Sequence, residues 1–176
     1  MENNFKFRYY STEELIIDRM DKNLNEEERK VRRYIINYII DNDQVFNLDK
    51  VKDTMSKDMG FSEEKLRTLF NNLGNKRTIV ADEDKNVNFI YPVSAVETNH
   101  RVTLSDGRKF SAMCAIDAMG TAYTFNQDIR VESVCSNSGK SISLEIKDGT
   151  LVDYNNEDIH ILHVDLNNNS NWAGEC

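Results

Sequence analysis

Apolar residues in the first half of the chain recur at helical spacing. In "NEEERKVRRYIINYIID", Val31, Tyr34, Ile35, Tyr38 and Ile39 fall three and four apart, which predicts a helix with one stripe facing a core. Asn25 stands where an N-cap belongs, and the acidic residues after it suit the positive end of a helix dipole. "LDKVKDTMSKDMG" predicts a shorter helix closed by Gly60. "SEEKLRTLFNNLG" predicts another, capped by Ser62, striped by Leu66, Leu69, Phe70 and Leu73, and stopped by Gly74. Ahead of these, "STEE" at Ser11 to Glu14 has the form of a capping box opening a short helix over Leu15, Ile16 and Met20.

The period changes near residue 78. "RTIVA" and "VNFIYPV" read as two short strands around the polar turn "DEDKN". Three helices followed by a two-stranded hairpin is the order of a winged helix. Pro92, the single proline, ends that hairpin and marks a domain boundary. Beyond it, "HRVTLSDGRKFSA" alternates across Ser105-Asp106-Gly107, a hairpin signal. "CAIDAMGTAYTF" is apolar and suits a short helix. "IRVESVCSNSGKSISLEI" predicts two strands, "DIHILHVDL" one more, and "NNNSNWAGEC" a polar tail. The expected architecture is α+β: an N-terminal helical extension over 1–23, a winged-helix-like helical domain over 24–92, and a mixed α/β domain over 93–176.

Charge and cysteine usage narrow the function classes. The formal net charge of −8 argues against a nucleic-acid partner, because phosphate binding needs clustered Lys and Arg. No run of about 18 apolar residues predicts a membrane span. The start, "MENNFKFRYYSTEEL", lacks the apolar core and cleavage site of a secretory signal. Three widely spaced cysteines do not form a disulfide framework, so the expected setting is a reducing cytoplasm with free thiols.

The chemistry concentrates in "FSAMCAIDAMG". If that segment is helical, Cys114 and Asp117 share a face and their thiol and carboxyl are neighbours. A cysteine in a first helical turn also feels the positive dipole end, which favours the thiolate. The plainer alternative is a small buried thiol beside a capping or surface carboxylate. Cys135 shares a strand face with Val131 and Ser133 and reads first as a packed structural thiol. Cys176, the last residue, is either an exposed inert thiol or one anchored by Trp172. His160 and His163 point to opposite faces of their strand, so they do not serve one metal. His100 stands alone.

Together these features resemble the alkylmercury lyase (organomercurial lyase) family from about residue 24 onward. "YPVS" at Tyr91 to Ser94 is similar to the family's link between its two domains. "DGRKFSAMCAIDAMG" resembles the stretch where a hairpin leads into a C-A-hydrophobic-D motif. "VESVCSNSGKSISLEI" resembles the next strand, cysteine and turn, and "NWAGEC" falls where the family carries its second catalytic cysteine. The spacings agree: Cys135 lies 21 residues after Cys114, and Cys176 lies 41 after that. The family continues past its last cysteine with a strand and a helix, whereas this sequence ends at Cys176. The resemblance therefore implies a diverged or C-terminally shortened member.

What the resemblance implies is specific. Cys114 and Cys176 take the roles of mercury-binding thiols, Asp117 that of a proton-handling carboxylate that is also a metal-site residue, and Cys135 that of a supporting cysteine. Soft thiolates suit a soft metal, and a positioned carboxyl suits delivery of a proton to carbon. Mercury enters as substrate and leaves as product, with no resident cofactor. The partners implied are an organomercurial or other organometal small molecule and a downstream thiol, metal reductase or carrier. The main rival is a thiol-based metal-binding or chaperone protein without lyase activity. A metal-sensing winged-helix regulator ranks third, because "SEEKLRTLFNNLGNKR" is not basic enough for a recognition helix.

Overall fold

The computed structural model describes residues 23–162. The short helix expected after Ser11, the boundary of the 1–23 extension, and the tail with His163, Trp172 and Cys176 lie outside the described residues.

Helix α1 (Glu26–Asn42) opens with a reciprocal cap. The Asn25 side chain accepts the Glu28 N–H at 2.9 Å, and the Glu28 carboxyl accepts the Asn25 N–H at 2.8 Å. Two donors that a helix start leaves orphaned are thereby satisfied. Val31, Ile35 and Ile39 are buried as their spacing predicts, joined by Ile36 and Ile40, while Tyr34 and Tyr38 flank the stripe half-buried. Helix α2 (Leu48–Met59) ends at Gly60, whose φ of 67° is the left-handed turn that favours glycine. Helix α3 (Glu63–Asn75) is capped by Ser62 and buries Leu66, Leu69, Phe70 and Leu73. It continues one residue past Gly74, which is helical here.

Nine strands and four helices make up the described residues, a mixed α+β fold on one antiparallel sheet. Strand β1 (Phe46–Asn47) and β2 (Ile79–Ala81) both pair with β3 (Asn86–Ile90). After Pro92 the sheet runs on through β4 (Val93–Ser94), which pairs with β3 on one side and β6 (Lys109–Ala112) on the other. β5 (His100–Leu104) lies between β6 and β7 (Ile129–Val134), followed by β8 (Ser141–Lys147) and the edge strand β9 (Thr150–Tyr154). Buried apolar residues from α1 to β8 form one core cluster.

One expected strand is misplaced. Residues 158–162 of "DIHILHVDL" form none, and the pairing falls earlier, in β9. Asp148 (φ 49°) and Gly149 (φ 71°) supply the two left-handed residues of a tight hairpin between β8 and β9. All of β9 is exposed, so it carries no in–out alternation from which a strand can be read.

Candidate active site

Helix α4 (Ala115–Phe125) lies against β5, β6 and β7. Its contact face is made of small residues, Ala118, Thr121 and Ala122, all buried. At its far end Phe125 meets Phe110 of β6, ring centroids 5.8 Å apart. The helix begins where β6 ends, so its first turn sits at one end of the sheet.

That first turn holds Cys114 and Asp117. Cys114 is the N-cap, with extended backbone (φ −144°, ψ 178°) and no side-chain capping bond. Its thiol hydrogen-bonds instead with the Asp117 carboxyl, which also receives a hydrogen bond from the Cys114 backbone. Asp117 is 8% exposed. Burial raises its pKa from 3.8 to about 8, helped by electrostatic repulsion from Cys114 and by the hydrogen bond between the two side chains. The Cys114 backbone opposes this. A helix N-terminus favours an anion by only ~0.3–1 kcal/mol, less than one pKa unit at about 1.36 kcal/mol. Burial wins, and the carboxyl keeps its proton at neutral pH.

Such a group is poised to donate. A carboxyl with a pKa near the working pH can release a proton and take it back, and this one is hydrogen-bonded to a sulfur nucleophile. The Cys-x-x-Asp spacing therefore brings thiol and carboxyl together, as helical i, i+3 geometry predicts.

Cys135 sits in a different environment at the same end of the sheet. Ser111 of β6 and Ser133 of β7 both lie opposite the start of β5, facing Arg101 and His100. Cys114 follows β6 and Cys135 follows β7, so both leave the sheet on that side. Cys135 is half-buried rather than packed away. Its thiol is held below the usual range by the Ser138 side chain, then by the backbones of Ser138 and Asn137, in the turn that Gly139 closes. Among the described residues, no three His, Cys, Asp or Glu side chains form a group able to hold a metal. Cys135 thus makes no triad with Cys114 and Asp117, and Cys176 lies outside the described residues.

The histidines divide. His160 is exposed. His100, silent in the sequence, is half-buried; its Nδ1 lies 2.9 Å from the Ser133 hydroxyl, and burial holds its pKa low. Tyr91, which the sequence placed in a domain link, lies against α4 at Gly120. The one sequence signal for that contact was a glycine inside a helical segment, which often marks a close approach. No helix among the described residues is long and apolar enough to cross a membrane.

Comparison with known proteins bears on the same segment. No curated protein matches the chain. Among solved structures, the crystal structure of the mercury-bound form of MerB2 superposes with a TM-score of 0.58 at 20% sequence identity. The match covers 77% of this chain and 63% of that one, and at this identity it speaks for the fold. Residues 93–176 match the family model described as alkylmercury lyase, a span that contains α4 and all three cysteines. That segment includes the Cys114–Asp117 pair, and through it the chain is similar to the alkylmercury lyase family.

Proposed function

We propose that the protein cleaves carbon–mercury bonds by protonolysis, with Cys114 and Cys176 as thiolate ligands and Asp117 as proton carrier. The observation that carries this reading is the buried Asp117 carboxyl, hydrogen-bonded to Cys114 and protonated at neutral pH. An alkyl or aryl carbon is a very weak base, so it needs both electron density pushed onto it and an acid close by. Two soft thiolates on mercury supply the first. Asp117 supplies the second.

The steps balance as follows. An organomercury cation meets two cysteine thiols, and two Hg–S bonds form as the thiol protons leave; Asp117, already protonated, recovers one of them only after it has given its own proton to carbon. The carbon–mercury bond breaks with its electron pair on carbon, which takes the proton from Asp117 and departs as hydrocarbon. Mercury remains as Hg(II) on the two sulfurs, and the second proton goes to solvent. No electron is gained or lost overall, and mercury is substrate and then product, with no resident cofactor. The Hg(II) then passes to a downstream thiol, reductase or carrier in the cytoplasm.

In this reading the segment 24–92 is a winged-helix-like domain that supports the α/β domain of 93–176. The rival, a thiol carrier that binds mercury without cleaving it, shares the sulfur ligands but has no use for a protonated Asp117. Incubating the full, reduced chain with phenylmercury and excess thiol decides between them. Benzene release supports the lyase; mercury bound without benzene supports the carrier.

A further inference from the structure

The face of the sheet that carries α4 is covered at β5–β8 and bare at β9. One row of paired residues crosses five strands on that face: Phe110 in β6, Val102 in β5, Val131 in β7, Leu144 in β8 and Tyr154 in β9. Phe110 meets Phe125 of α4, so the row faces the helix. The first four are buried, whereas Tyr154 is 47% exposed. The next row ends in the same way, with Ile146 buried and Leu151, its partner, 51% exposed. A helix with its side chains is about 10–12 Å wide, and four strand spacings come to about 19 Å, so α4 alone does not reach the end of the row. Tyr123 of α4 is 70% exposed and donates its hydroxyl to the Gly149 carbonyl at 3.0 Å, in the β8–β9 turn. Leu151, Tyr154 and Tyr123 thus make an apolar ledge on an edge strand, a feature that proteins cover or put to use.

The chain itself supplies a cover. Just after β9, the Asn155 N–H donates to the Ser143 carbonyl at 3.1 Å, and its side chain accepts the Ser143 N–H and donates to the Ser141 carbonyl, each at 3.0 Å. The chain therefore leaves the sheet where β8 starts, at the end where β6 runs on into Cys114. Residues 163–176 follow, and they hold the one tryptophan of the chain, Trp172, four residues before Cys176. Four residues reach at most about 13–14 Å. β9 lies two strand spacings beyond β7, about 10 Å, so a Trp172 ring on the ledge leaves Cys176 within reach of the strands under α4. An indole also has more apolar area to bury there than any other side chain of that segment.

We propose that residues 163–176 dock on this ledge, with the Trp172 ring against Leu151 and Tyr154. Docked so, the segment carries Cys176 toward Cys114. That consequence rests on the reading of Cys176 as a mercury ligand, while the docking rests on the bare ends of the two rows and on where the chain leaves them.

The test uses the full chain and the fluorescence of Trp172, excited where tyrosine does not absorb. In the folded wild type the emission should lie to the blue of the urea-unfolded chain, and acrylamide should quench it slowly. Leu151→Ser/Tyr154→Ser should move the emission to the red and speed the quenching several-fold. Asp153→Ser, opposite Glu145 on the other face of β9, should leave both as in the wild type. All three side chains are exposed, so the variants keep the fold, as circular dichroism would check. Wild-type emission like that of the unfolded chain, or no response to the double variant, overturns the proposal. A wild-type dimer in sedimentation that the double variant dissolves also overturns it, since a second copy then takes the ledge. A bifunctional thiol reagent, with peptide mapping, reads the consequence: the Cys114–Cys176 link should form in the wild type and several-fold less in the double variant. If Trp172 responds as expected but no link forms, the segment docks as proposed and the reading of Cys176 as a mercury ligand falls.

Discussion

Two cysteines leave the same end of the sheet into opposite surroundings. Cys114 starts a helix, beside a carboxyl that burial keeps protonated. Cys135 stands in a hairpin turn, where the Ser138 side chain and nearby backbone groups hold its thiol below the usual range. The second thiol is drawn toward the thiolate by those hydrogen bonds, and no carboxyl is among the groups that shift it. Reactivity toward a soft metal and capacity for proton transfer are thus separate properties, and of these two cysteines Cys114 is the one that has a carboxyl beside it. Two aspartates repeat the lesson. Asp106, tied to the Arg108 and Gln127 side chains in the β5–β6 turn, is driven far below the carboxylate range. Asp117, buried against a thiol, is driven up.

The comparison breaks most readily at Cys114. Cys114→Ser should abolish both mercury binding at the site and hydrocarbon release, because a hydroxyl is a hard and far less acidic ligand. Equilibrium dialysis with Hg(II) and gas chromatography of the headspace check the two losses. Retention of either at the wild-type level would remove Cys114 from the centre of the site.

A smaller effect concerns stability. The folded chain holds the Asp117 proton up to about pH 8, whereas the unfolded chain releases it near 3.8. Between those values the folded state binds more protons, so stability falls as pH rises. The Asp117 contribution is fully present below about pH 4 and is lost by about pH 8, with a slope of at most about 1.4 kcal/mol per pH unit. Asp117→Asn should flatten that part of the profile and be more stable than the wild type at pH 8. Urea unfolding at several pH values checks it; parallel profiles for the two proteins would contradict the buried, protonated acid.

The smallest effect belongs to Cys135. Cys135→Ser should leave hydrocarbon release close to the wild-type rate, since no carboxyl is among the groups acting on the Cys135 thiol. In the wild type, Cys135 should alkylate at a pH below the ordinary thiol range, as peptide mapping after iodoacetamide would record. A strong loss of activity in Cys135→Ser would move it into the reaction.

Local signals carried the first half of the fold. Asn25, Ser62 and Gly60 announce helix ends through their own backbone chemistry, and the stripes of α1 and α3 need only their own spacing. β1 and β9 escaped because a two-residue strand and a fully exposed edge strand carry no period. The strand read at 158–166 followed an apolar alternation, while the Asp148-Gly149 turn placed the pairing before it. In the site, the Cys114–Asp117 pair was legible as helical spacing. That Asp117 keeps its proton was not, since burial comes from α4 packing on strands distant in sequence. The seat of Tyr91 at Gly120 was hidden for the same reason.

The central claim is that Asp117 delivers the proton, and one paired measurement tests it: Hg(II) binding and benzene release from phenylmercury by the wild type and Asp117→Ala. The account predicts that both bind mercury with similar affinity, because the sulfurs supply most of it. Benzene release should fall roughly 10²–10⁴-fold in the variant, the usual worth of a positioned general acid. Equal release by the two proteins, or binding without release in both, would contradict it.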